Sequence, residues 1–126
     1  MGAQKKILIV EDDDEIRMRI KNKLLHTLEI FEARDGEDAV AKWVDNRPDL
    51  VLLDLLLPKL SGVNVLERIR KYPDPLLAKT RVIVLSNLWS QKDILQVQGL
   101  KVDEYFVKAH TKLEDVIIKI NGILAS

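Results

Sequence analysis

The sequence predicts an α/β protein built on a parallel sheet. Four short apolar runs lack the period-2 alternation of half-buried strands, which is typical of strands covered on both faces. These runs span residues 7–10, 50–53, 82–85 and 105–107. Segments with helical periodicity alternate with the runs along the chain, which favours α/β layering over segregated α+β architecture.

The first two predicted helices follow the first apolar run, and the third follows the second run. The first carries an apolar residue at every fourth position from residue 16 to residue 28. Asp35 opens the second helix, which closes near Asn46. Ser61 opens the third, and basic residues at positions 68, 70 and 71 suit the negative end of its dipole.

Two further helices, a strand and a loop complete the predicted elements. Ser90 predicts the N-cap of a fourth helix that reaches about residue 98. Thr111 and Glu114 fit a capping box at the start of a fifth helix. Residues 29–33 are mixed in polarity and predict an edge strand, whereas two prolines predict a loop over residues 72–75.

The composition indicates one globular domain and excludes several functions. The chain has 126 residues, 47% hydrophobic and 32% charged, which suffices for a real core. Twenty basic and twenty acidic residues cancel, so bulk charge predicts no direct binding to nucleic acid or to a membrane. The absence of cysteine excludes disulfides and thiolate metal sites. With no transmembrane stretch or signal peptide in the sequence, we expect a cytoplasmic protein.

Each apolar run ends in a polar side chain, and these ends predict a single site. Glu11 and Asp12 follow the first run, Asp54 the second, Ser86 the third and Lys108 the fourth. Ligands of open α/β sheets bind beyond the carboxyl ends of the strands, where these side chains would meet. Clustered carboxylates favour a hard cation such as Mg²⁺, and a carboxylate can attack phosphorus. An ammonium and a hydroxyl would neutralise the transferred phosphoryl group.

The motifs at the strand ends resemble those of receiver domains in two-component response regulators. They are Val10-Glu11-Asp12, Asp54-Leu55-Leu56-Leu57-Pro58, Ser86 and Tyr105-Phe106-Val107-Lys108. The resemblance covers nearly the whole chain. It implies a flavodoxin-like, doubly wound, five-stranded parallel sheet in the order 2-1-3-4-5, with five helices on its two faces. We expect residues 1–126 to form one receiver domain, without an output domain in this chain.

The same resemblance implies how the acidic residues and the lysine would work. Asp54 would be the phosphoacceptor, and Lys108 would pair with the phosphoryl oxygens. Mg²⁺, or Mn²⁺, would be held by Glu11, Asp12, Asp54 and the backbone carbonyl of Leu56.

Switching and lifetime would depend on four other positions. By resemblance, Ser86 would turn to hydrogen-bond the phosphoryl group, and Tyr105 would swing inward behind it. Leu56 and Leu88 would flank the path of the hydrolytic water. Because both are apolar, we expect slow loss of the phosphoryl group.

The partners implied by the resemblance are proteins. A sensor histidine kinase or a phosphotransfer protein would donate the phosphoryl group from a phosphohistidine. A downstream protein would dock on the face formed by the fourth helix, fifth strand and fifth helix. The chain would not be an enzyme, beyond catalysing its own phosphorylation and dephosphorylation.

Three residues depart from the pattern of the family. Ala109 stands where a proline usually follows the lysine, Asn87 where a small residue is usual, and Lys101 where a helix-ending glycine is common. A cis bond without proline costs ~2.5–4 kcal/mol, so we expect a trans Lys108–Ala109 bond and a displaced loop. Asn87 would either crowd the phosphoryl group or add a donor. Gly99 would take over part of the turn near Lys101.

Other functions remain open from the residues alone. Ala109 and Asn87 favour an interaction module that keeps the fold without phosphorylation. An aspartate-dependent phosphohydrolase would need a second acid at position 56, which is Leu56. A flavin-binding protein would need a first loop rich in glycine and hydroxyls, whereas this loop is acidic. Asp12, with Glu15 three residues on, could instead cap the first helix.

The remaining aromatic residues and the histidines carry weaker expectations. Trp43 is expected to face the core, and Trp89 either contacts a partner or packs against the fourth helix. His26 and His110 lack acidic or histidine companions in the sequence, and a surface position is expected for both.

Overall fold

Five strands form one sheet in the computed structural model, which describes residues 4–88 and 90–125. The strands are β1 (Lys6–Val10), β2 (Glu29–Ala33), β3 (Leu50–Leu53), β4 (Arg81–Ser86) and β5 (Glu104–Val107). Their order is β2-β1-β3-β4-β5, and all four neighbouring pairs are parallel. The predicted fold class and strand order are confirmed. Strands β2 and β3 lie on opposite sides of β1, so the strand order reverses at β1. At such a reversal a crevice opens between the loops that follow β1 and β3.

Six α-helices and one 3₁₀ turn connect the strands in the described segments. They are α1 (Asp14–Leu24), α2 (Gly36–Asn46), α3 (Gly62–Arg70), α4 (Pro75–Ala78), α5 (Gln91–Gln98), the 3₁₀ turn (Lys108–His110) and α6 (Leu113–Leu124). The sequence predicted five helices and missed α4. Pro75, assigned to a loop, begins this short helix, where its missing N–H removes no helical hydrogen bond. The Asp74 carboxylate caps it by accepting from the Leu76 N–H at 3.0 Å.

The sheet separates two apolar clusters, because successive side chains of a strand point to opposite faces. One face of β1 and β3 packs with Trp43, Leu66 and Val97 from α2, α3 and α5. The other face packs with Ile20 of α1 and Ile120 of α6. The inner strands β1, β3 and β4 therefore have helices on both sides, as their continuous apolar runs indicated, whereas β5 lies at an edge of the sheet and is half-buried.

Trp43 lies in the first cluster, as expected. Its side chain is almost fully buried, and its indole Nε1 donates to the Thr80 hydroxyl at 3.0 Å. The ring also meets Tyr72 edge to face, with ring centroids 5.0 Å apart. Trp89 lies outside the described residues, and His26 and His110 are exposed.

Three of the predicted helix caps are confirmed and one, at Thr111, is wrong. Asp35, Ser61 and Ser90 cap α2, α3 and α5 through their side chains. At α1 the cap is Asp13 rather than Asp12: the Asp13 carboxylate accepts from the Ile16 N–H at 3.1 Å.

The predicted capping box at Thr111 is not formed. Lys112 occupies the N-cap of α6 without a side-chain bond. The Thr111 hydroxyl instead donates backwards to the Val107 carbonyl at 2.7 Å, which fastens the 3₁₀ turn to the end of β5. The Thr111 hydroxyl therefore stabilises the 3₁₀ turn and does not cap α6.

The turn after α5 also differs from the expectation. Gly99 keeps right-handed backbone angles with φ −62°, and Lys101 itself takes the left-handed conformation with φ 59°. Arg70 explains how this position is held. Its guanidinium donates to the Leu100 and Lys101 carbonyls at 2.7 and 3.0 Å.

No cis peptide bond occurs in the described segments, so Lys108–Ala109 is trans as expected. Among the described helices, none has the length and apolar character needed to span a lipid bilayer.

Candidate functional site

Four parallel strands deliver the predicted site residues to one edge of the sheet. Val10 is paired with Leu53, so Glu11 and Asp54 leave neighbouring strands at the same level. Lys108 follows β5 and reaches back across β4. Its ammonium lies 2.7 Å from Glu11 Oε1 and 2.8 Å from Asp54 Oδ2. The structure therefore brings these three residues together as the strand ends indicated.

Glu11, Asp12 and Asp54 form an acidic cluster. Each offers a carboxylate oxygen, and these oxygens lie within 4.8 Å of one another. Glu11 and Asp54 are buried, whereas Asp12 is exposed. Because Asp13 caps α1, Asp12 is not needed for that purpose. An all-oxygen donor set with one open side fits a hard divalent ion such as Mg²⁺ or Mn²⁺.

Burial governs the protonation of this cluster. Burial raises the pKa of Glu11 to about 7, and the Asp54 charge adds to the effect, while bonds from Lys108 and from the Asp13 N–H oppose it. Burial would also lower the pKa of Lys108, but its bonds to Asp54 and Glu11 outweigh that and raise it. The lysine is therefore held as an ammonium ion between the two carboxylates.

The Asp54 carboxylate is fixed at both oxygens. Oδ2 accepts from Lys108, and Oδ1 accepts from the Leu56 N–H at 3.0 Å. The Leu56 side chain is 53% exposed beside this bond, whereas Leu88 is half-buried. Both leucines therefore stand near the ends of the strands that carry the site.

Gly62 allows α3 to approach the backbone of Asp54 and Leu55 closely. A Cβ at this position would lie 2.2 Å from the Asp54 carbonyl oxygen and 2.5 Å from the Leu55 Cα. The Gly62 N–H also donates to the Leu55 carbonyl at 2.9 Å. From the sequence, Gly62 was expected only to begin α3, and its close approach to the Asp54 backbone was not predicted. A glycine directly after the capping residue Ser61 could have indicated it.

Ser86 and Tyr105 both bind the loop after β4. The Ser86 hydroxyl is fully buried and accepts from the Leu88 N–H at 3.3 Å. The Tyr105 hydroxyl donates to the Leu88 carbonyl. Burial, followed by the nearby Asp93 and Asp54 charges, raises the pKa of the Tyr105 phenol. Leu88 thus joins the two residues predicted to switch together.

Two residues near the site were missed or assigned no partner. Arg17 is buried and donates to the Glu11 carbonyl at 2.9 Å, which fixes the backbone that carries the first acid. Asn87 accepts a hydrogen bond from the Ala109 N–H at 2.9 Å. Both Asn87 and Ala109 stood out as unusual residues, but only the register of β4 against β5 shows that they touch.

The strand order and the acidic cluster at the crevice define a receiver domain. A family model described as "Response regulator receiver domain" matches residues 7–121. The chain therefore belongs to the response regulator receiver family. Receiver domains are signalling modules of two-component systems rather than classical enzymes.

Curated relatives include proteins named as transcriptional regulators. The probable transcriptional regulator ycf27 of Cyanophora paradoxa is 34% identical over 112 residues, covering 88% of this chain and 45% of the relative. The transcriptional regulatory protein SrrA of Staphylococcus aureus is 31% identical over 121 residues, covering 94% of this chain and 47% of the relative. The chain thus spans slightly less than half the length of these relatives.

Solved structures share the whole fold. The CheY-like receiver domain protein of Methanospirillum hungatei superposes with a TM-score of 0.86 at 26% identity, covering 98% of this chain and 95% of that one. A Francisella response regulator receiver domain gives a TM-score of 0.84 at 28% identity, covering 97% and 98%. These matches bear out the flavodoxin-like receiver architecture.

Proposed function

We propose that this receiver domain accepts a phosphoryl group on Asp54 in a reaction that depends on Mg²⁺ or Mn²⁺. The donor is a phosphohistidine of a sensor histidine kinase or a phosphotransfer protein. One observation carries the proposal: Asp54 Oδ2 is held 2.8 Å from an ammonium at the acidic end of the sheet. A buried carboxylate placed in this way has a partner for the charge that a phosphoryl group brings.

The transfer needs no further catalytic group from this chain. An Asp54 oxygen attacks phosphorus, and the P–N bond to the donor imidazole breaks. The imidazole nitrogen keeps the electron pair and takes up a proton. The Lys108 ammonium pairs with the phosphoryl oxygens as their charge redistributes.

The acidic cluster supports the metal dependence. Glu11, Asp12, Asp54 and the Leu56 carbonyl would hold the ion. A bound Mg²⁺ or Mn²⁺ would supply positive charge that offsets the negative charge of a phosphoryl group. Between them, the chain's own residues keep the carboxylates close and leave Asp12 accessible from solvent.

Signalling proceeds by docking to a protein target after phosphorylation. Ser86 would leave Leu88 for the phosphoryl group, and the Tyr105 bond to the same residue would pass the change to α5 and β5. The docking face is formed by α5, β5 and α6, the helices numbered fourth and fifth in the sequence-based expectation. Leu95 on α5 and Ile118 on α6 are 60% and 69% exposed, which supports a role for these helices in binding protein.

The competing functions receive less support. Asn87 directs its carbonyl oxygen to Ala109, so this bond gives no reason to regard Asn87 as an obstacle to phosphorylation. Leu56 offers no acid for protonating a leaving group, which disfavours a phosphohydrolase. The cytoplasmic location, the single-domain organisation of residues 1–126, the slow dephosphorylation set by Leu56 and Leu88, and the absence of direct nucleic-acid or membrane binding stay predictions.

Acetyl phosphate with Mg²⁺ tests the proposal directly. Intact-protein mass spectrometry should show the gain of one phosphoryl group, which chelation of the metal or Asp54→Asn should abolish. Asp45→Asn, on an exposed residue of α2, is the matched control and should be phosphorylated like the unmodified chain. If the unmodified chain gains no phosphoryl group, the proposed function is wrong.

A further inference from the structure

The backbone pairing of β4 with β5 ends one step before the site. Its last pair is Ser86 with Val107. Asn87 and Lys108 follow, and here a side chain takes over from the backbone. Asn87 Oδ1 accepts from the Ala109 N–H at 2.9 Å. The asparagine therefore extends the connection between the two strands beyond the end of the ladder.

The segment held in this way is the 3₁₀ turn that carries Lys108. At its start, the Thr111 hydroxyl donates to the Val107 carbonyl at 2.7 Å. The Thr111 N–H closes the turn on the Lys108 carbonyl at 3.4 Å. These bonds tie the turn to itself and to β5. The bond from Ala109 to Asn87 ties it to β4, whose end carries Ser86.

We propose that Asn87 is a positioning residue for Lys108. By accepting from the Ala109 N–H, Asn87 fixes the turn on the β4 side and thereby aims the Lys108 ammonium between Glu11 and Asp54. The effect on phosphoryl transfer rests on the proposed function. The positioning itself belongs to the chain before phosphorylation.

The position of Asn87 allows it to affect where the Lys108 ammonium lies. The Lys108 side chain is long and has several rotatable bonds. Its Nζ contacts Glu11 at 2.7 Å and Asp54 at 2.8 Å, and these contacts depend on the position of the Lys108 backbone. Asn87 has a short side chain whose carbonyl oxygen stays close to its own backbone. Since Ala109 carries an N–H that proline would lack, the two unusual residues are matched to each other as acceptor and donor.

Nuclear magnetic resonance of the unphosphorylated chain tests the positioning. In Asn87→Ala, exchange of the Ala109 amide hydrogen should accelerate, and the Lys108 ammonium signal should shift and broaden as its contacts loosen. Asn87→Asp retains an oxygen acceptor at the same distance from the backbone and should restore slow exchange of the Ala109 amide hydrogen. Asn64→Ala, on an exposed residue of α3, is the matched control and should leave both signals unchanged.

The rate of phosphorylation provides the functional measurement. With acetyl phosphate and Mg²⁺, Asn87→Ala should react about threefold to tenfold more slowly, which is the factor expected from one lost hydrogen bond. The thermal midpoint should change little, because the Asn87–Ala109 bond is exposed. A slower reaction together with the altered Lys108 signal supports positioning.

The Lys108 signal decides the outcome. If it is the same in Asn87→Ala as in the unmodified chain, the proposal is overturned, and a slower reaction would then place Asn87 in direct contact with the donor. If the Ala109 amide exchanges equally fast with and without Asn87, the bond is absent and the proposal also fails. A chain that shows the expected signals but takes up no phosphoryl group would overturn the proposed function and keep the positioning.

Discussion

Lys108 and Asp54 are joined by a 2.8 Å bond although 54 positions separate them along the chain. The lysine enters from the end of β5 and the aspartate from the end of β3, with β4 between them. The bond also places the ammonium next to Glu11, so one cation serves two buried acids.

Removal of this ammonium should expose the repulsion between the acids. We expect Lys108→Met to lower the free energy of unfolding by about 1–3 kcal/mol without added metal, because two buried carboxylates lose their shared partner. Millimolar Mg²⁺ should stabilise this variant more than the unmodified chain. Urea unfolding with and without Mg²⁺ measures both effects. Lys92→Met, on an exposed lysine of α5, is the control, and equal behaviour of the two variants would contradict the prediction.

Two adjacent aspartates should differ in their effect on metal affinity. Asp12→Asn removes a charged oxygen from the acidic cluster and should weaken Mg²⁺ binding about tenfold or more. Asp13→Asn removes the same charge one residue away while asparagine keeps the α1 cap. Its affinity should therefore fall much less. Isothermal titration calorimetry compares them, and similar losses in both variants would show that only net charge matters.

Arg70 should be a main determinant of stability remote from the site. Its half-buried guanidinium donates to four backbone carbonyls, those of Ala78, Thr80, Leu100 and Lys101. Arg70→Met should lower the free energy of unfolding by about 2–4 kcal/mol, since these carbonyls lose a charged donor.

Lysine should rescue Arg70 poorly, because an ammonium cannot match the planar fork of a guanidinium. Arg68→Met, on the exposed side of α3, should change stability by less than about 0.5 kcal/mol. Chemical denaturation of the three variants gives the comparison. An Arg70→Lys variant as stable as the unmodified chain would sink the prediction.

Lys101→Gly should stabilise the chain. Lys101 adopts φ 59°, a conformation that costs a residue with a Cβ roughly 1 kcal/mol and costs glycine nothing. We expect a gain of about 0.5–1 kcal/mol in the free energy of unfolding. Gln96→Gly, inside α5, should lose a similar amount, because there glycine only adds flexibility to the unfolded chain. A loss of stability in Lys101→Gly would contradict this reading of the turn.

Low pH should weaken the ion pairs that Glu32 of β2 forms with Arg17 and Lys21 of α1. Burial would raise the pKa of Glu32, but bonds from Lys21 and Arg17 outweigh it and hold the pKa below the ordinary value of 4.5. A depressed carboxylate pKa stabilises the fold above the unfolded-state pKa, and this contribution is lost as the pH falls through the folded-state pKa. Unfolding measured between about pH 6 and pH 3 should therefore show a smaller acid-induced loss in Glu32→Gln than in the unmodified chain. Parallel pH profiles of the two proteins would rule the effect out.

The strands and the principal acids could be predicted because they depend on local patterns. Continuous apolar runs identified the three inner strands and the edge strand β5. The residues after β1, β3 and β5 are Glu11, Asp54 and Lys108, and the lysine contacts both acids. The choice between Asp12 and Asp13 as helix cap could not be made in the same way. Both residues can cap, and their roles depend on where β1 ends relative to α1.

The other errors arise from contacts and local features that the sequence patterns did not indicate. Thr111 bonds backwards to Val107 because the 3₁₀ turn brings that carbonyl within reach, which a capping pattern does not reveal. Gly99 was expected to take over part of the turn near Lys101, but Lys101 itself has the left-handed φ, and Arg70, thirty-one positions away, binds its carbonyl. Helix α4 was missed because two prolines suggest a loop, although a proline is well suited to the first turn of a helix.

The missing side chain of Gly62 offers a way to adjust the chemistry without replacing any reactive group. Even one methyl group at this position would collide with the Asp54 carbonyl, so relief of the collision must displace either α3 or the strand end. An alanine there would push the backbone of Asp54 and Leu55 away from α3. The position of the Asp54 backbone therefore depends on a helix residue that has no side chain of its own.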